Sequence, residues 1–243
     1  MSVRQHPTPP DPRIRSRGNA RGVPQRRRQQ QRRNHHRWPW WAMAVVVSCG
    51  AAGTIALSAG GSGSQGLPGP EGVPLEAGPA LAPAGAIPPA KATPYAVQCG
   101  SSEQVATHIH SHLAVYVDGH PRSIPLGVGM VGQVQVAQTP HGPFADGVSD
   151  CLYWLHTHAS DGIIHIEAPA GRTFVLGQFF GIWGQPLTSR QVGPATGPVT
   201  AYVNGQRWTQ PLDVIPLTSH EAIQLDVGTP IVAPRPVSFP SSL

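Results

Sequence analysis

Six of the nine histidines beyond residue 97 fall in two short stretches, His108-Ile-His110-Ser-His112 and Leu155-His156-Thr-His158-Ala-Ser-Asp161-Gly-Ile-Ile-His165-Ile-Glu167. Alternate residues of an extended strand point to the same side, so each His-X-His run presents its imidazoles together. Convergent imidazoles beside a carboxylate make a donor set for a divalent first-row metal: zinc, copper, iron or manganese. A copper(I) carrier would use thioethers instead, and Met130 is the one methionine of this part of the chain.

The second stretch has the pattern of a hairpin. A strand over 151–158 turns at Ala159-Ser-Asp-Gly162 and returns over 163–168. With a two-residue loop His158 faces His165 and His156 faces Glu167; with a four-residue loop His156 faces His165. Either register leaves His156, His158, His165 and Glu167 on one side, because directly opposed residues share a face. His108, His110 and His112 share a face of their own strand and complete the candidate ligand set where the strands adjoin. Tyr116 has the same parity. His120 and His141 read as loop residues and His220 as structural, with a ligand role its alternative. Two competing readings of the histidines are a solvated surface band and a metal-free acid–base site.

The elements that must position these residues are almost all strands. Residues 113–117 run into Asp118-Gly119 and residues 199–203 into Asn204-Gly205, both signals for two-residue type I′ hairpins. The two stretches echo one another, Tyr116-Val-Asp-Gly119 against Tyr202-Val-Asn-Gly205. Further strands are predicted over 131–136, 172–176 and 222–227, with a short helical turn or core-filling loop at 179–184. Short strands between Gly and Pro turns predict an all-β domain, a single β-sandwich or small barrel.

The chain is uneven on either side of that domain. Residues 1–37 hold eleven Arg against one acidic residue, Asp11, a basic tail at +10; the whole chain carries +5, so the remainder is at −5. Directly after it, 38–59 opens on Trp38-Pro-Trp-Trp41 and carries no charge, the length and character of a membrane-spanning helix. This predicts a single-pass signal anchor with a cytoplasmic N-terminus and an extracytoplasmic C-terminal part. Val46-Val-Ser-Cys49 keeps a lipid-anchored alternative open. The arginines read as topology signals, and no nucleic-acid partner is expected. Residues 60–96 read as a Gly/Pro-rich linker, 97–232 as the folded domain and 233–243 as a tail. In an exported domain the pair Cys99 and Cys151 reads as a disulfide, with free thiolates as soft metal ligands the alternative.

The run His-X-His, Leu155-His-Thr-His158, Gly162-Ile-Ile-His165-X-Glu167, followed by Leu176-Gly-Gln-Phe-Phe180 and Trp183-Gly, resembles a family of exported bacterial and archaeal His-rich β domains. That resemblance implies one folded unit over about 99–228 and no particular reaction. His156-Thr-His158 with a later Glu is also loosely similar to the cupin metal motif, although Glu167 stands nine residues beyond His158. It implies a cupin-like barrel. Three functions follow: an envelope metal-binding protein, a metal-dependent hydrolytic or oxidative enzyme with Phe179, Phe180 and Trp183 lining its pocket, and a structural module without metal. No phosphate loop, zinc-protease helix or Gly-X-Ser-X-Gly elbow is present.

Overall fold

The computed structural model describes residues 67–92 and 96–243. The basic tail 1–37, the apolar segment 38–59 with Cys49, and linker residues 60–66 and 93–95 lie outside the described residues. Among those described, no helix is long and apolar enough to cross a membrane.

The domain is built mainly of strands, around a seven-stranded mixed sheet. Its members are β1 (Thr107–Val117), β2 (His120–Arg122), β3 (Leu155–His156), β4 (Ile163–Ala168), β5 (Val199–Val203), β6 (Gln206–Trp208) and β7 (Glu221–Val227). The order is β6-β5-β7-β1-β4-β3, with β2 also paired to β1. Only the β7–β1 pairing is parallel. The two expected hairpins are present. Asp118 and Gly119 have φ 50° and 76°, and Asn204 and Gly205 have φ 50° and 75°, the double left-handed geometry of a two-residue type I′ turn. They join β1 to β2 and β5 to β6. The sheet does not close into a barrel, so the small-barrel and cupin-like versions of the fold are not met.

Period-two alternation sorts the sheet into two faces. Leu113, Val115, Ile164, Ile166, Ile223 and Leu225 share one face and are each at most 1% exposed. Burying an aliphatic side chain of this size contributes about 1.5–3 kcal/mol. Against that face packs α1 (Leu176–Trp183), whose Phe179, Phe180, Ile182 and Trp183 belong to the same core. The helix ends where Gly184 takes φ 74°, a left-handed cap suited to glycine. The aromatic cluster is therefore core and does not line a pocket on the histidine face.

Several expected segments differ in detail. The 131–136 strand is two pieces, Met130–Val131 and Val134–Thr139, separated at Gly132 with φ 99°. The 172–176 strand is only Phe174–Val175, because the chain enters α1 at Leu176. Much of the stretch read as a linker lies against the domain: Leu81 and Ala82 enter the core, and Val73 is buried. Leu81 N–H donates to Ser123 O at 2.9 Å and Trp183 Nε1 to Pro83 O at 2.8 Å. Apolar burial and these bonds fasten a segment whose sequence has no periodic apolar pattern and whose helix is one turn, Pro89–Ala92.

Candidate metal centre

The site lies on the polar face at the β1–β4–β3 end of the sheet. There β4 runs between the two histidine-bearing strands, with His165 directly opposite His110 on one side and His156 on the other. Glu167 lies opposite His108. The hairpin register is that of the four-residue turn, His156 against His165. Gly162 (φ 81°) makes the turn possible, since a Cβ there would stand 2.6 Å from Leu113 O, and Asp161 Oδ1 accepts from Ile163 N–H at 3.2 Å.

The first arm of the hairpin is not one strand. Cys151–Tyr153 pairs with Cys99–Gly100 and with Met130–Val131, and the chain changes sheets at Trp154 before β3. Trp154 N–H donates to Gln98 O while its carbonyl accepts from Glu167 N–H, so one residue serves both neighbours. A disulfide joins Cys99 to Cys151 at the start of this arm. Both sulfurs are thereby committed, and the thiolate alternative for these cysteines falls away.

His165 is the hub. Its ring centroid lies 4.4 Å from that of His110, 4.5 Å from His158, 5.4 Å from His156 and 5.8 Å from His108. Ligand atoms of His156, His158, His165 and Glu167 all lie within 4.8 Å of one another, and all four residues are buried. This donor set could hold a metal ion.

The nitrogen accounting of His156 and His158 is specific. His156 Nδ1 donates to Tyr153 O at 2.8 Å, and His158 Nδ1 donates to Ala145 O. A carbonyl can only accept, so both Nδ1 atoms carry their protons and a neutral ring keeps its lone pair on Nε2. Those two Nε2 atoms face each other at 3.0 Å. Lone pairs this close repel unless a cation lies between them. Two nitrogens each about 2.0–2.1 Å from a tetrahedral zinc ion would stand about 3.3 Å apart. His158 is further fixed by Phe144, stacked on it at 4.8 Å with planes 8° apart. Ala145 N–H donates in turn to His158 O at 2.8 Å, so the 134–148 hairpin clamps this imidazole from outside the main sheet.

Burial, then the neighbouring imidazoles, lowers the pKa of His156 and His158 and keeps both rings neutral. Burial and His165 likewise push His110 down to about 3. His165 goes the other way. Burial opposes its charge, but hydrogen bonds to Glu167 and Glu71 and their negative charges outweigh that and push it up to about 9. Its Nδ1 lies 3.3 Å from Glu167 Oε1 and its Nε2 2.5 Å from Glu71 Oε1. The pocket thus pairs one cationic ring with carboxylates and surrounds it with neutral donors. Glu71 Oε2, Glu167 Oε2 and both ring nitrogens of His110 are buried with no hydrogen-bond partner among the described residues. Orphaned buried groups cost about 1–3 kcal/mol each, and coordination to an ion removes that cost.

Not every candidate joins the cluster. His112 is buried two residues beyond His110, opposite Ile163, and belongs to neither group of converging ligand atoms. It faces the turn, with Nε2 2.9 Å from where a Cβ on Gly162 would stand. Tyr116 lies opposite Asp226 at the far end of β1. His220 stacks on Phe239, and its Nε2 lies 2.9 Å from Leu243 O. Conversely, Glu71 comes from the stretch read as linker, and the pattern around it carries no periodic signal that would have marked it. Asp161 is a turn residue in sequence and fully buried in structure, its pKa pushed up to about 8 by burial and by Glu71.

Comparison with protein families, with curated proteins and with solved structures returns no match for this chain.

Proposed function

We propose that this protein binds a divalent transition metal, holding the ion with His156 Nε2, His158 Nε2, His165 and Glu167. The observation that carries this reading is the pair of Nε2 atoms 3.0 Å apart whose rings have both spent Nδ1 on backbone carbonyls. Three imidazoles and a carboxylate suit zinc, copper(II), iron or manganese. The four donor residues are at most 6% exposed, which supports holding or handing over an ion rather than working on a substrate beside it. We place the domain outside the cytoplasm on a membrane anchor formed by 38–59. The Cys99–Cys151 bond supports an oxidising compartment.

The test is metal analysis of the full-length protein, extracted in detergent, offered zinc, copper, iron and manganese in turn, and dialysed. Wild type is expected to retain ion in this group, and His156→Ala/His158→Ala to lose it while keeping a wild-type circular-dichroism spectrum. Wild type that retains none of the four metals overturns the reading.

A further inference from the structure

Beside this donor set stands a second that shares only His165 with it. Ligand atoms of His108, His110 and His165 also lie within 4.8 Å of one another. His110 is 5% exposed, and neither ring nitrogen has a hydrogen-bond partner among the described residues, although the ring lies 4.8 Å from that of His108 and 4.4 Å from that of His165. A buried imidazole in this state is an unexplained donor. Glu167 connects the two groups: its Oε1 is 3.2 Å from His108 Nε2 and 3.7 Å from His156 Nε2, and its Oε2 is buried and unpartnered.

We propose that the site is a two-metal centre, in which a second divalent transition-metal ion is held by His108 and His110 and shares Glu167 with the first. This rests on the reading of His156 and His158 as ligands of the first ion. A carboxylate has two oxygens, and bridging lets it serve ions about 3.5–4 Å apart. Register supports the arrangement: the row His110–His165–His156 and the neighbouring pair His108–Glu167 place two histidines of β1 on one side of β4 and the first ion's pair on the other. The two positions differ in access. His108 is 40% exposed at the side chain, whereas His156 is fully buried, so the second ion sits at the rim and exchanges first.

The experiment is a zinc titration of the metal-free full-length protein, read as equivalents retained. Wild type is expected to take two, and His108→Ala/His110→Ala to take one, which a chelator removes more slowly than the more labile wild-type equivalent. One equivalent in wild type, unchanged in His108→Ala/His110→Ala, overturns the second ion and leaves the first. No bound zinc or other divalent metal in wild type overturns both. A measurement on wild type alone guards against a variant that fails to fold. Loaded with copper(II), the protein should show a half-field electron-paramagnetic-resonance transition from a coupled pair, and two uncoupled signals would overturn the shared carboxylate.

Discussion

Glu71 and His165 are 94 residues apart in the chain, and Glu71 Oε1 accepts a hydrogen bond from His165 Nε2 at 2.5 Å. This contact ties the 67–92 segment to the hub of the histidine cluster. It also sets up a competition, because a metal ion at His165 must displace a proton that Glu71 and Glu167 hold in place.

Replacing Glu71 by Gln removes one of the two charges that raise His165. The ring's pKa should then fall from about 9 toward the ordinary histidine range, as followed by NMR of its Cε1 proton. Zinc affinity at pH 7 should rise, while affinity above pH 9.5 should change little. Equal weakening at both pH values would make Glu71 a ligand rather than a competitor.

Stability of the metal-free protein should peak near pH 6.5. His110 and His112 are lowered from 6.5 to about 3 and about 4, chiefly by burial, so their contribution is present above 6.5 and lost as pH falls toward those values. His165, raised to about 9, contributes fully below 6.5 and loses that contribution as pH climbs to about 9. Asp161, raised from 3.8 to about 8, likewise loses stability as pH rises between those values. On the acid side the four lowered histidines, His110, His112, His156 and His158, outweigh the raised carboxyls of Asp161 and Glu76; on the alkaline side His165 and Asp161 act together. Each group contributes a slope of about 1.4 kcal/mol per pH unit inside its window. Thermal unfolding from pH 4 to pH 10 in the presence of a chelator checks this, and a flat profile would contradict it.

Gly162→Ala should destabilise the domain by about 1–3 kcal/mol. The residue has φ 81°, and a Cβ there would meet Leu113 O at 2.6 Å and His112 Nε2 at 2.9 Å. The turn also sets which residue faces His165, so zinc affinity should fall with stability. Urea unfolding and a zinc titration on the same variant measure both.

Cys99→Ser/Cys151→Ser opens a loop whose ends are 52 residues apart in sequence. The chain-entropy relation puts the loss at about 4 kcal/mol. Since Tyr153 O orients His156 two residues past the disulfide, the variant should also bind zinc more weakly. Unchanged stability after this double substitution would show that the 99–100 and 151–153 pairing holds without the bond.

Much of the site was legible because it follows from parity. His156, His165 and Glu167 share a face with either a two-residue or a four-residue loop, and His108 and His110 share one along their own strand. Asp118-Gly119 and Asn204-Gly205 likewise announce their turns, because both residues must take positive φ. The break at Trp154 was not legible: a run of strand-forming residues does not say that its halves pair with different sheets. The helical state of Leu176–Trp183 was legible only as one of two alternatives at 179–184, where burial of Phe179, Phe180 and Trp183 in the core decides a segment too short for a clear period.

Which side chains of one strand stand together is readable from residue order alone, since the pleat is a local property with a period of two. Turn residues and two cysteines also mark where the chain reverses and where a covalent tie could form. How far along β1 the cluster extends, taking in His108 and His110 and leaving His112 at the turn, follows from the packing of the folded chain. That packing alone brings Glu71 to His165. Strand adjacency and the docking of a patternless segment depend on long-range packing, whose contacts must outweigh loop-closure entropy, and no local pattern records that balance.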